Sequence, residues 1–165
     1  MQPKGATSVA RFSVEFEVAN NDDLALMRRG LLPADQVRRE TIHGLVHSGA
    51  TRLVLPEAVV KRLGLPLSTA VNVRYADGRR AKRRAVKGVF VRLLGRDSTF
   101  TAICEPKRET ALIGAIVLED LDLLVDCVTQ QVVPRDPDGE TFEIEVQCPI
   151  FVLTCYHGQL LAEFN

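Results

Sequence analysis

The chain has 165 residues, and its 21 basic and 21 acidic side chains cancel, so no global field advertises a polyanionic partner. A hydrophobic share of 46% against 25% charged residues is that of one ordinary globular domain and excludes a disordered tail. No apolar run is long enough to cross a bilayer, and Met1-Gln2-Pro3-Lys4-Gly5-Ala6 lacks the apolar core of a secretory leader; a cytoplasmic location with no membrane partner is expected.

Phe12, Val14, Phe16 and Val18 alternate with Ser13, Glu15 and Glu17, the pattern of a strand with one wet face. Asp23-Leu24-Ala25-Leu26-Met27-Arg28-Arg29-Gly30 reads as a short helical turn with acids first, arginines last and a closing glycine. Leu31-Leu32-Pro33 breaks it. Val37 to Val46 reads as a strand with Val37, Ile42 and Leu45 toward the core, and it runs into His47-Ser48-Gly49-Ala50. After Thr51-Arg52-Leu53-Val54-Leu55, Pro56 opens a helix through Leu63 that Gly64 closes. Val71, Val73 and Tyr75 alternate up to Ala76-Asp77-Gly78, and the chain returns from Ala81 to Val86, which predicts a projecting basic hairpin. Val89 to Leu94 and Phe100 to Ile103 are two further strands split by Gly95-Arg96-Asp97-Ser98. Ala111-Leu112-Ile113-Gly114 is another strand ending in glycine, and Ile116 to Val125 has the spacing of a helix packed on the core. Pro134-Arg135-Asp136-Pro137-Asp138-Gly139 closes the main domain. This divides the chain into 1–139 and an extension, 140–165, in which Phe142, Ile144 and Val146 alternate with polar residues and Ile150 to Leu153 is a short apolar run. Leu45, Val54, Leu55, Val73, Val91, Ile103, Leu112 and Ile113 are the expected core.

Cys104, Cys127, Cys148 and Cys155 form no CxxC pair and no zinc-ligand spacing, and they read as reduced thiols. Arg74, Arg79, Arg80, Lys82, Arg83, Arg84, Lys87 and Arg92 crowd the middle of the chain. A solvated or ion-paired face is preferred there over a nucleic-acid patch. His43 and His47 are four apart, which on a strand separates them by roughly 13 Å and prevents shared chelation. His157 reads as a surface side chain.

Two features recur in order: an apolar strand entering His47-Ser48-Gly49-Ala50, followed by Leu53-Val54-Leu55-Pro56 and a helix, and later Leu112-Ile113-Gly114 followed by a second helix. With the hairpin turn between them, this set resembles the retropepsins, the retroviral-type aspartic peptidases of clan AA. It is most similar to their soluble bacterial members, over roughly Phe12 to Pro137. The resemblance implies a mainly β fold, a closed acid-protease barrel with a short helix after the active-site loop and another near the C-terminal part of the domain. It also implies a symmetric homodimer that takes an extended peptide or unfolded protein segment between its subunits. His47, Ser48, Gly49 and Ala50 would form the cleft floor, and Tyr75, Ala76, Asp77 and Gly78 the flap above it. Small residues suit a place where two copies of one loop meet at a twofold axis. By resemblance, Ser48 would brace the two loops across the dimer.

In that family each subunit supplies an aspartate at the position held here by His47. Two carboxylates sharing one proton provide a base for the attacking water and an acid for the departing amide. Facing imidazoles lose this arrangement, because protonating both sets like charges together. Positioned acid–base catalysis is worth on the order of 10²–10⁴ in rate, so an inactive or severely impaired endopeptidase is expected. Ser48-Gly49-Ala50 fixes the register, while Asp77 falls on the flap and Asp120 and Asp122 on the late helix. Two His47 side chains across a dimer lack the third protein ligand of a catalytic zinc site, and no metal or cofactor is implied. A competing reading is a non-catalytic dimeric module, since an extended peptide binds a sheet through backbone bonds that need no aspartate. Nucleic-acid contact through the hairpin 74–87 is the weakest, for want of interleaved aromatics beyond Tyr75 and Phe90.

Overall fold

In the computed structural model the described residues are 12–47, 49–126, 128–141, 154–156 and 159–161, the last two stretches as backbone alone. The alternating N-terminal segment forms β1 (Phe12–Asn20), which turns Phe16 and Val18 into the core and pairs antiparallel with β2 (Arg39–Val46). Between them lies α1 (Asn21–Arg28). Buried Asn20 caps this helix by accepting the Asp22 amide at 2.9 Å, and its own amide group donates to the Leu63 carbonyl at 3.0 Å. One side chain thus starts a helix and ties it to a distant loop.

The sheet continues from β2 to a parallel partner, β7 (Ala111–Ile113), which also meets β3 (Val54–Pro56). β3 runs parallel to β6 (Arg96–Glu105), β6 pairs with β5 (Arg80–Leu93), and β5 returns to β1. Six strands therefore close into a barrel, which leaves no free edge around the ring. β4 (Leu67–Arg74) extends the sheet from β5 and makes the expected hairpin with it. Val18, Val46, Leu53, Leu55, Val86, Val91, Ala102 and Ile113 fill the interior. The short helix α2 (Glu57–Arg62) packs Val59 and Val60 onto this core, and α3 (Ala115–Asp120) adds Val117 and Leu118. The fold is mainly β and closed, with one short helix after the His47 loop and another after β7, as expected.

Four local expectations change. β5 is one strand through Gly88, whose φ of +70° accompanies a register shift between Val86 and Val89; the glycine makes a bulge, not a strand end. The helix expected to reach Val125 stops at Asp120, and Leu123–Asp126 forms β8, paired with β9 (Gln131–Pro134). Its stop has a tertiary cause: buried Arg96 donates to the carbonyls of Leu121 and Asp122 and to the Asp122 carboxylate, and Asp122 takes a φ of +49°. Asp122 therefore lies on no helix. Pro56 ends β3 and stands just before α2, not inside it.

Five of the eight expected core residues, Leu45, Val54, Val73, Ile103 and Leu112, are half-buried, whereas Leu55, Val91 and Ile113 are buried. For Leu45, Val54, Ile103 and Leu112 the cause is strand parity: Val46, Leu53 and Leu55, Ala102 and Cys104, and Ile113 take the inward positions beside them, whereas Val73 lies on β4, outside the closed ring. In the tail, β10 (Thr154–Tyr156) pairs with β11 (Gln159–Leu161). The strands expected around Phe142 to Val146 and Ile150 to Leu153 lie outside the described residues.

Candidate functional site

β2 and β7 end side by side, with Val46 opposite Ile113. The chain leaves β2 through His47, whose amide donates to the Ile113 carbonyl at 3.0 Å, and the Ala50 amide closes the turn onto the His47 carbonyl at 2.9 Å. The loop then crosses the start of α3. Ala115 donates to the Ala50 carbonyl at 2.7 Å and Ile116 to the Thr51 carbonyl at 3.1 Å. Beyond it, Ile103 donates to the Leu53 carbonyl at 2.9 Å, so the segment is bonded along its length to β6, β7 and α3. Gly114 makes this crossing feasible. A Cβ there would lie 2.5 Å from the Arg52 carbonyl oxygen and 2.6 Å from that of Ala50, both backbone atoms, the second held by the bond from Ala115.

The two expected motifs, His47-to-Ala50 and Ile113-Gly114, are thus joined in space. The His47 imidazole lies over Gly49, where a Cβ would come within 3.1 Å of Cε1 and 3.2 Å of Nε2. Its Nδ1 is buried and has no hydrogen-bond partner among the described residues. Gly49 is exposed and Ala50 half-buried, while Ser48 lies outside the described residues.

The half-buried residues that parity turns out of the core meet beside this loop. Leu45 is the register partner of Leu112, Leu112 of Val54, and Val54 of Ile103. Neighbours in register share a face, so the four form one apolar stripe across the outside of β2, β7, β3 and β6, beginning two residues before His47. Sequence reasoning placed all four in the core, and the missed signal is the run of adjacent apolar pairs, Leu45-Val46, Val54-Leu55, Ile103-Cys104 and Leu112-Ile113. Such pairs mark strands covered on both faces.

Two positions past Ile103 on the same face stands Glu105, buried, accepting from the Tyr75 hydroxyl at 2.5 Å and from Arg83 Nε at 2.8 Å. Arg79 and Arg83 lie over the Tyr75 ring at 5.4 and 5.8 Å from its centroid. Burial pushes the Glu105 carboxyl up, but the bonds from Arg83, Tyr75 and the Lys107 amide outweigh it and hold the group below its ordinary value. The same burial, with the Glu105 charge beside it, raises the Tyr75 phenol. Of the four residues expected on the flap, Tyr75 is half-buried against β6, and Ala76, Asp77 and Gly78 are exposed at the turn. Gly78 takes a φ of +83° there, and Asp77 pairs with Arg79. Glu105 went unnoticed, although a lone acid closing an apolar strand opposite basic residues, Arg83 among them, was the available signal.

Two open concavities, about 550 Å³ along Leu94–Asp97, Pro134 and Pro137–Glu140 and about 450 Å³ beside Asn72–Arg74 and Arg80, do not include the His47 loop. No three His, Cys, Asp or Glu side chains converge as a metal site among the described residues. Cys104 is a buried free thiol whose pKa burial raises; Cys127 and Cys148 lie outside the described residues. Among the described residues no helix is long and apolar enough to cross a membrane.

No protein-family model matches the chain, and no curated protein matches it. Among solved structures it is similar to an inhibitor complex of the EIAV protease, at 15% identity and a TM-score of 0.46, over 73% of this chain and 94% of that one.

Proposed function

We propose that this chain is a homologue of the homodimeric retropepsin-like aspartic endopeptidases, one that binds extended peptides and in which His47 has abolished or severely impaired peptide-bond hydrolysis. The observation that carries this is the apolar stripe of Leu45, Leu112, Val54 and Ile103 beginning at the His47 loop. One wall of that kind is half a cleft. A second copy related by a twofold axis would set its own wall opposite and bring two His47 loops together. An Nδ1 without a partner among the described residues is also what an unfinished polar site would hold.

Hydrolysis needs a base for water and an acid for the leaving amide. Glu105, the carboxylate on this face, is committed to Arg83 and Tyr75. A peptide backbone, by contrast, needs strand edges and an apolar wall, and β4 at the end of the sheet supplies an edge. His47 therefore favours, as a second reading, a module that holds peptides without cutting them.

The test compares the chain as it stands with His47→Asp on a mixture of unfolded peptides at mildly acid and neutral pH, with sedimentation at several concentrations. The original is expected to dimerise and bind without cutting, and the variant to cut. A chain that stays monomeric, or a pair of proteins that neither bind nor cut, would end the proposal.

A further inference from the structure

The apolar stripe ends at Ile103, and the tip of the β4–β5 hairpin is fixed just beyond it. The register that pairs Arg84 with Cys104 and Ala85 with Ile103 brings Arg83 beside Glu105 on the stripe's face, and Val71 stands opposite Arg83 on β4. In a flat sheet Tyr75 would lie four residues farther along β4, roughly 13 Å, and two strands away from β6, roughly 10 Å. A tyrosine and a glutamate side chain do not span that separation together, yet the Tyr75 hydroxyl lies 2.5 Å from the Glu105 carboxylate. The ribbon therefore bends its tip back over the face that carries Ile103. Burial agrees with the bend: Ala85 and Glu105 stand on this outer face of the barrel, but each is only 5% exposed.

Little holds the tip in that position. Among the described residues, 75–79 make a single hydrogen bond to another element, from the Tyr75 hydroxyl to Glu105. The Tyr75 and Gly78 amides, and Arg79 with Asp77, bond within the turn itself. The guanidinium groups of Arg79 and Arg83 lie over the Tyr75 ring and aim it. Glu105 does not depend on the tip, because Arg83 Nε at 2.8 Å and the Lys107 amide at 3.4 Å also donate to it. One bond can thus break while the surface beneath keeps its shape. A bond to a charged acceptor is strong enough to keep the tip down for most of the time, and a bond at an exposed turn is one that local opening breaks readily.

We propose that the Tyr75–Glu105 bond is a latch that closes the end of the apolar stripe and gates the entry of a peptide; the proposal rests on the peptide-binding reading and names how that site is regulated. With the latch made, an extended segment lying along Leu45, Leu112, Val54 and Ile103 runs into Tyr75. With it broken, the segment continues past Ile103 under the lifted tip. Only the open fraction takes up peptide, so the closed latch lowers the apparent affinity by that fraction. The test follows a fluorescent extended apolar peptide by stopped-flow anisotropy on the full chain, on Tyr75→Phe, which keeps the ring and loses the bond, and on Glu105→Gln. Exchange of the Tyr75 and Gly78 amides is measured on the same proteins without peptide. Both variants are expected to exchange faster and to take up the peptide at least about tenfold faster, the worth of one hydrogen bond to a charged group. Dissociation rates should stay unchanged, because the bond is already broken in the complex. Faster dissociation at an unchanged rate of uptake would overturn the gate, since the bond would then clamp a bound peptide. Exchange unchanged in Tyr75→Phe would overturn it too, since the tip would be held by something else. Binding at one rate by all three proteins would remove the gate alone, whereas peptide binding by none of them would remove the reading on which it rests.

Discussion

Gly114 is held between two carbonyls contributed by residues some sixty positions earlier in the chain, and its need for glycine is steric: its φ is −92°, open to any residue, while a Cβ would press on backbone at Ala50 and Arg52. The Ala50 carbonyl cannot retreat without breaking the bond from Ala115, and the bond from Ile116 to the Thr51 carbonyl fixes the backbone next to Arg52. Gly114→Ala is therefore expected to cost about 1–3 kcal/mol, read as a lowered urea midpoint at unchanged slope. Gly139, around which a Cβ would find nothing within 4 Å, is the control, with a change within about 0.5 kcal/mol for Gly139→Ala. Equal midpoints for the two variants would mean that the His47 loop does not cross there. The sequence offered Ile113-Gly114 as half of a resemblance, but the reason for the glycine lay in the partner loop. A one-dimensional pattern cannot supply it.

The hairpin continues the β5–β6 ladder, and one carboxylate, Glu105, ties its Tyr75 and Arg83 side chains to β6. Because Glu105 titrates below its ordinary value in the folded chain, its contribution is complete above the unfolded value near 4.3 and is lost as pH falls through the lower folded value. Glu105→Gln is expected to destabilise by about 2 kcal/mol at neutral pH, the worth of hydrogen bonds to a charged group. Urea unfolding of both proteins across pH should show that gap shrinking below about pH 4, and exchange of the Tyr75 and Gly78 amides should be faster in the variant at neutral pH. A gap that does not change with pH would exclude the carboxylate as the tie. The hairpin itself was legible, because alternation and Ala76-Asp77-Gly78 are local signals. The end of α3 was not: apolar residues from Ile116 to Val125 satisfy helical and strand spacing alike, and the choice falls to Arg96, which bonds the Leu121 and Asp122 carbonyls from another strand.

A closed barrel divides each strand between an inside and an outside, and here both sides are apolar at Leu45-Val46 of β2, Val54-Leu55 of β3, Ile103-Cys104 of β6 and Leu112-Ile113 of β7. Periodicity has no means of telling the two sides apart when neighbours such as Leu112 and Ile113 are both large and apolar, which is why the sequence placed the outer stripe in the core. The assembled molecule separates them. Ile113 is fully buried within the ring, so Ile113→Ala leaves a cavity and is expected to cost about 2–5 kcal/mol. Leu112 is half-buried on the outer stripe, so Leu112→Ala should cost less than about 1 kcal/mol while weakening the binding of an extended apolar peptide several-fold, since each methylene removed from such a contact is worth about 0.8 kcal/mol. Paired urea midpoints and peptide titrations, taken at one protein concentration because dimerisation would couple to stability, read both effects. If Leu112→Ala unfolds as readily as Ile113→Ala, the outer stripe is core after all; if it leaves peptide affinity unchanged, the stripe is not the wall of a cleft.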